Sequence, residues 1–199
     1  SDEHRSDWKL SGPHCQTWPI NHVIGDATTG TIYAGGGDAW FGPAVWKSTD
    51  LGQSWTHSSQ GLAYEAGKEP IASVWSVHAA HGELLAGVQP AGLFRSADGG
   101  ETWSHLEALQ EHPSRPHWNA GGAGLILHSI VTDPADHNRI WIGISSAGVF
   151  YSGDGGATWE PHNRGTRADY MPEDQRYPEF GQCVHCLVMA AGERDLLYQ

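Results

Sequence analysis

An eight-residue pattern occurs three times in this chain and limits its fold more than any other feature. It reads Ser-x-Asp-x-Gly-x-(Ser/Thr)-Trp and stands at 48–55, 96–103 and 152–159. The aspartates Asp50, Asp98 and Asp154 are 48 and 56 residues apart, close to the length of roughly 40 to 50 residues typical of one propeller blade. Two short β-rich runs precede each copy: 31–35 and 44–47, then 84–87 and 92–95, then 140–143 and 148–151. A further apolar run lies upstream of each pair, as at 71–77 and 125–131. Four short strands per unit, separated by Gly- and Asp-rich turns, is the pattern of a blade. The expected fold is therefore all-β, a β-propeller of four-stranded antiparallel blades. Three blades are complete and a fourth is begun, a partial ring read as a fragment of a six- to eight-bladed propeller.

The motif has a mechanical explanation. A tight hairpin turn needs residues that tolerate positive φ, which Gly52, Gly100 and Gly156 supply. Each Asp can accept hydrogen bonds from the amides of its own turn, and Ser48, Ser96 and Ser152 can add their hydroxyls. Trp55, Trp103 and Trp159 then open the outer strand and cover the hairpin. This makes the motif a structural staple. A calcium loop would need extra carboxylates and a distal Glu that are missing here.

The units divide the chain at 17–60, 61–110, 111–165 and 166–199, with 1–16 as a leader or closing strand. Within that leader Asp7-Trp-Lys-Leu10 has the look of an outer strand. In the last unit, strands are expected at 182–190 and 196–199. The remaining blades are expected from further chain or from another copy.

The three motif copies resemble the Asp-box, or BNR, repeat of sialidase-like propellers. The stretch from Leu84 to Trp103, and Asp133-Pro134 before Ile140, look most like bacterial BNR-repeat proteins labelled glycosyl hydrolases. The resemblance covers 18–199. It implies the propeller fold and admits several functions, since such blades occur in enzymes, receptors and assembly factors. Sialidases of this group carry an Arg-Ile-Pro motif that begins an arginine triad, and no such tripeptide exists here.

Composition removes some functions. The formal charge of −12, with eleven scattered Lys and Arg, argues against a nucleic-acid partner. No run of about 20 apolar residues is present to span a membrane. Three cysteines do not make a disulfide framework; with no signal peptide visible, they point to a reducing, cytoplasmic setting.

Strand order places the sites. The motif hairpins gather on one rim, and the loops at 35–42, 109–124 and 163–181 gather on the other. Long loops on a rigid scaffold are where binding groups concentrate. Aligned inner strands put Asn21, Trp75, His128 and His185 at one height near the channel, as candidate ligand-binding residues with Trp40, Trp118, Tyr170 and Arg176. Glycoside hydrolysis uses two carboxylates roughly 5 to 10 Å apart, and Glu179, Glu173 and Asp174 are the candidates. Cys183 and Cys186, expected on a strand, would point to opposite faces, which does not suit one metal. No metal ligand set and no cofactor are assigned. The leading expectation is a ligand- or protein-binding scaffold working through its loop rim. The alternatives are a glycoside hydrolase using loop carboxylates and a metal-dependent enzyme using channel histidines.

Overall fold

The computed structural model describes residue 6, residues 8–15 and residues 18–199. Three antiparallel sheets of four strands each follow one another along the chain. The first contains β1 (Ile20–Asp26), β2 (Thr31–Asp38), β3 (Gly42–Ser48) and β4 (Thr56–Ser58). The second contains β5 (Ser73–Ala80), β6 (Glu83–Gln89), β7 (Gly92–Ser96) and β8 (Ser104–His105). The third contains β9 (Leu127–Asp133), β10 (Asp136–Ile144), β11 (Gly148–Ser152) and β12 (Glu160–Pro161). Every strand pairs with its neighbour in sequence, the meander of a propeller blade. A last pair, β13 (Val188–Met189) and β14 (Leu197–Tyr198), opens a fourth sheet. Among the described residues, no helix is long and apolar enough to cross a membrane.

The sheets stack face on face, one blade's back against the next blade's front. Ile24, Tyr33 and Val45 of blade one meet Val74, Val77, Ala86 and Phe94 of blade two. Leu85 and Leu93 of blade two meet Leu127, Ile130, Ile142 and Phe150 of blade three. Trp141 and Val149 of blade three meet Val184 and Leu187 ahead of β13. The front of blade one, with Ala34, Ala44 and Trp46, is covered by Cys15 and Trp18. Alternating side chains on each strand make this two-sided burial possible.

Each joint between blades is built in the same way. Gly35, Gly87 and Gly143 hold equivalent places on the second strands, opposite Val45, Leu93 and Val149. Their missing Cβ leaves a hollow for an inner-strand side chain of the next blade. A Cβ on Gly35 would lie 2.7 Å from Val74 Cγ1, on Gly87 2.4 Å from Leu127 Cδ2, and on Gly143 3.2 Å from Val184 Cγ1. The carbonyls of those same three residues take a hydrogen bond from the preceding blade. Asn21 Nδ2 donates to Val74 O at 2.9 Å and Ser76 Oγ to Leu127 O at 2.9 Å, while His128 Nε2 meets Val184 O at 2.8 Å. A side chain in a hollow and a bond to its own carbonyl thus lock successive inner strands around one axis.

Two local expectations are revised. The inner strand expected at 182–190 is reduced to Val188–Met189, and its partner at 196–199 to Leu197–Tyr198. In blade three the opening half of the inner strand pairs with the far half of the second strand, Leu127 with Ile144 and Ser129 with Gly143. No described backbone stands in that place opposite 182–187. Of the leader strand expected at 7–10, Asp7 lies outside the described residues, and residues 8–10 join no strand.

Candidate functional site

The two rims are chemically different because their turns do different jobs. On one rim each motif closes on itself. Ser48 Oγ donates to Asp50 Oδ1 at 2.8 Å and accepts from Gly52 N at 2.8 Å. Ser54 N and Ser54 Oγ then donate to Asp50 Oδ1 and Oδ2, at 2.9 and 2.5 Å. Ser96, Asp98, Gly100 and Thr102 repeat the set, as do Ser152, Asp154, Gly156 and Thr158. The hydroxyl four residues on, with its amide, holds Asp50 and Asp154 down at about 2 and Asp98 further below the usual carboxylate range. With their oxygens committed to these bonds, the three aspartates serve the hairpins.

The opposite rim carries the exposed aromatic side chains. Trp40 stands in the β2–β3 turn with 93% of its surface exposed, over a backbone held by Asp38. Tyr170 and Tyr177 expose 62% and 65% from the loop at 163–181. Tyr170 presents its ring while its hydroxyl is fixed, donating to Gly181 O at 3.0 Å and accepting from Cys183 N at 3.1 Å. Arg176 turns inward along the same loop, its Nε on Met171 O. Glu173 and Asp174 lie exposed on a single turn of 3₁₀ helix, Glu173–Gln175.

Glu179 is brought together with residues that were not site candidates from the sequence. It lines a cavity of about 430 Å³ with Glu160, Pro161, His162 and Arg164. Two carboxylates therefore share one opening with a cation and an imidazole. Asn163 anchors that wall, donating through Nδ2 to Glu179 O at 2.9 Å while Val149 N donates to its Oδ1 at 2.8 Å.

A second cavity of about 220 Å³ lies beside blade two, between the loops that enter and leave it. Glu65, Glu69, Glu107 and Glu111 stand around it, with Tyr64 and Arg115 in its wall. Tyr64 donates to Pro90 O at 2.6 Å, and burial pushes its phenol above the ordinary value. None of these residues was a candidate from sequence. The i, i+4 glutamate pairs at 65/69 and 107/111 were the visible signal.

Of the four channel residues, Asn21 and His128 are placed as blade-to-blade connectors. Asn21 also donates to Ser73 Oγ at 2.7 Å. Trp75 Nε1 donates to Gln89 Oε1 within its own blade at 2.8 Å. His128 has Ser129 Oγ on Nδ1 and Val184 O on Nε2, and burial lowers its proton affinity. His185 is exposed, 3.3 Å from Cys183 Sγ. Trp118 is 6% exposed, packed on Phe150 with Nε1 on Ser114 Oγ and Arg115 over its ring. It does not reach the rim. Among the described residues, no group of three or more His, Cys, Asp or Glu side chains is arranged to hold a metal ion.

Comparison with known proteins agrees with this architecture. The model of the BNR/Asp-box repeat matches residues 94–105, the second motif copy. An oligoxyloglucan-reducing end-specific xyloglucanase of Emericella nidulans is 30% identical over 79 residues, covering 39% of this chain and 9% of that enzyme. Among solved structures, the GH74 xyloglucanase of Xanthomonas campestris matches 77% of this chain with a TM-score of 0.51 and 21% identity. The GH74 enzyme of Niastella koreensis matches 86% with a TM-score of 0.50 and 20% identity. The chain spans 24% of either structure. Repeat, blade topology and these likenesses converge: the chain is built of β-propeller blades that carry the BNR/Asp-box repeat, and over part of its length it is similar to xyloglucanases.

Proposed function

We propose that this propeller unit binds carbohydrate on its loop rim, the blades serving as the rigid frame. The observation that carries the reading is the exposure of Trp40, Tyr170 and Tyr177 from loops of that one rim; Glu160, Glu179 and Arg164 edge an opening at blade three. A sugar ring offers an apolar face and a belt of hydroxyls. Exposed aromatics accept the face, and carboxylates and guanidinium groups bond the belt. The xyloglucanase relatives make a xyloglucan oligosaccharide the natural first ligand. Isothermal titration calorimetry with such an oligosaccharide should show saturable binding that weakens at least about tenfold in a Trp40→Ala, Tyr170→Ala double variant, the loss of roughly 1.4 kcal/mol of ring contact. Unchanged affinity in that variant contradicts the reading.

A second reading rests on Glu160 and Glu179 lining the same cavity. Retaining and inverting glycosidases hold two carboxyl groups roughly 5 to 10 Å apart across the scissile bond. On this reading one of the two protonates the leaving oxygen and the other supplies the nucleophile or activates water. Release of reducing ends from xyloglucan, lost in both Glu179→Gln and Glu160→Gln, supports it. Binding without release in the unsubstituted protein rules it out.

A further inference from the structure

Residues 181–187 lead into β13 without joining a strand, and their side chains divide between two environments. Val184 and Leu187 are buried against blade three, while Cys183, His185 and Cys186 are exposed. Off the strand, the face alternation expected for the two cysteines does not apply. Cys183 Sγ lies 3.3 Å from His185 Nε2, a thiol and an imidazole in contact on the open side.

The backbone carrying this pair is fixed on both sides. Cys183 N donates to the Tyr170 hydroxyl oxygen at 3.1 Å, and Val184 O is held by His128 Nε2 at 2.8 Å. A nucleophile and its base need this sort of mounting, because neither gains from proximity that thermal motion averages away. The other cysteines provide internal comparisons. Cys15 is buried, and burial pushes its thiol up. Cys186 is exposed without an imidazole contact among the described residues.

We propose that Cys183 is a nucleophilic thiol site that reacts with small disulfides, with His185 as its base. The thiolate is the reactive form of cysteine, and an adjacent imidazole generates it. In the step, the Cys183 S–H proton passes to His185 Nε2, and the sulfur forms a bond to one sulfur of the disulfide. The old S–S bond breaks, its electron pair leaving on the second sulfur. That sulfur takes the proton from His185 and departs as a thiol, so the exchange balances with no outside oxidant. The mixed disulfide would stand at the foot of the Tyr170 loop. The site stands on its own observations, independent of the carbohydrate reading.

The test uses the reduced full chain and oxidised glutathione at one fixed pH, with occupancy of each cysteine followed by peptide mass spectrometry. Cys183 should be modified at least about tenfold faster than Cys186, a margin below the roughly hundredfold or more that general-base assistance supplies, with Cys15 slower than both. His185→Gln should slow Cys183 by a similar factor, and Cys183→Ser should remove the fast phase. His185 is exposed, so this variant should keep the parent melting temperature, which separates loss of the base from loss of fold. Equal rates at Cys183 and Cys186, a Cys183 rate indifferent to His185→Gln, or a fast phase surviving in Cys183→Ser overturns the proposal.

Discussion

Adding a single methyl group at Gly87 should force two blades apart. A Cβ there would stand 2.3 Å from Ser76 Oγ, 2.4 Å from Leu127 Cδ2 and 2.4 Å from Leu127 O, where ordinary contact is 3.4 to 4 Å. Side-chain rotation can move Ser76 and Leu127 Cδ2. Leu127 O is backbone of the neighbouring inner strand, so relief requires blade three to shift by about 1 Å. Overpacking of this kind costs about 1–3 kcal/mol. The shift also stretches the Ser76 Oγ to Leu127 O bond, now 2.9 Å, worth about 1 kcal/mol. Stiffening of the unfolded chain returns about 0.4–1 kcal/mol. The net loss is about 1–3.5 kcal/mol, or roughly 2–14 °C in melting temperature for a chain of this size. Gly143→Ala meets its nearest atoms at 3.2 Å and should cost visibly less, while Gly25→Ala meets nothing within 4 Å and serves as a control. Thermal and urea unfolding followed by tryptophan fluorescence reads all three. A Gly87→Ala melting temperature within about 2 °C of the parent, or a larger loss in Gly143→Ala, would refute the hollow-and-knob account of the joints.

Other consequences concern the turns and the fourth sheet. Leu51 occupies, at φ 57°, the place held by Gly99 and Gly155 at φ 71° and 73° in the other two motifs. Relief of a left-handed strain of about 1–2 kcal/mol, less the extra chain entropy of glycine, should make Leu51→Gly more stable by up to about 1 kcal/mol in urea unfolding. Asp50 and Asp154 are held at about 2 in the folded chain, below the ordinary 3.8, by hydroxyl and amide donors. Stabilisation from a lowered carboxyl is complete above its unfolded value and lost as pH falls through the folded one. The melting-temperature difference between the parent and Asp50→Asn should therefore be constant from pH 7 to about 5 and shrink towards pH 2. Asp133, fully buried, takes bonds from Arg139 Nη1 at 2.8 Å and Arg194 Nη2 at 2.6 Å, and so ties the β13–β14 hairpin to blade three. Arg194→Ala should speed amide exchange at Val188 and Leu197 roughly tenfold and leave β9 and β10 unaffected; equal exchange in both proteins contradicts the tie.

The fold was legible because the motif is self-contained. Every bond that shapes the turn from Ser96 to Thr102 lies within five residues of sequence, so the sequence carries the whole device. The joints were harder to read. Gly35, Gly87 and Gly143 stand out in the strands, but the hollow each makes is filled by a residue some 40 positions later. The thirteen histidines suggested a metal for the same reason, since the partners of four of them lie on other blades. His22 accepts from Val77 N, His78 meets Thr132 Oγ1, His81 meets Asp133 O and His128 meets Val184 O. Trp118 in a polar loop reads as a rim residue, yet Ser114 Oγ satisfies its indole and lets it turn into the core. The glutamate pairs 65/69 and 107/111 were visible, but that they edge one cavity at Tyr64 follows only from the folding together of two loops distant in sequence.

The claim that the loop rim is the working face, with the motif rim as support, can be checked directly by hydrogen–deuterium exchange with and without a saturating xyloglucan oligosaccharide. Protection should appear at residues 38–42 and 163–181 and be absent at 48–55, 96–103 and 152–159. Protection centred on the motif hairpins, or none on either rim, would contradict the account.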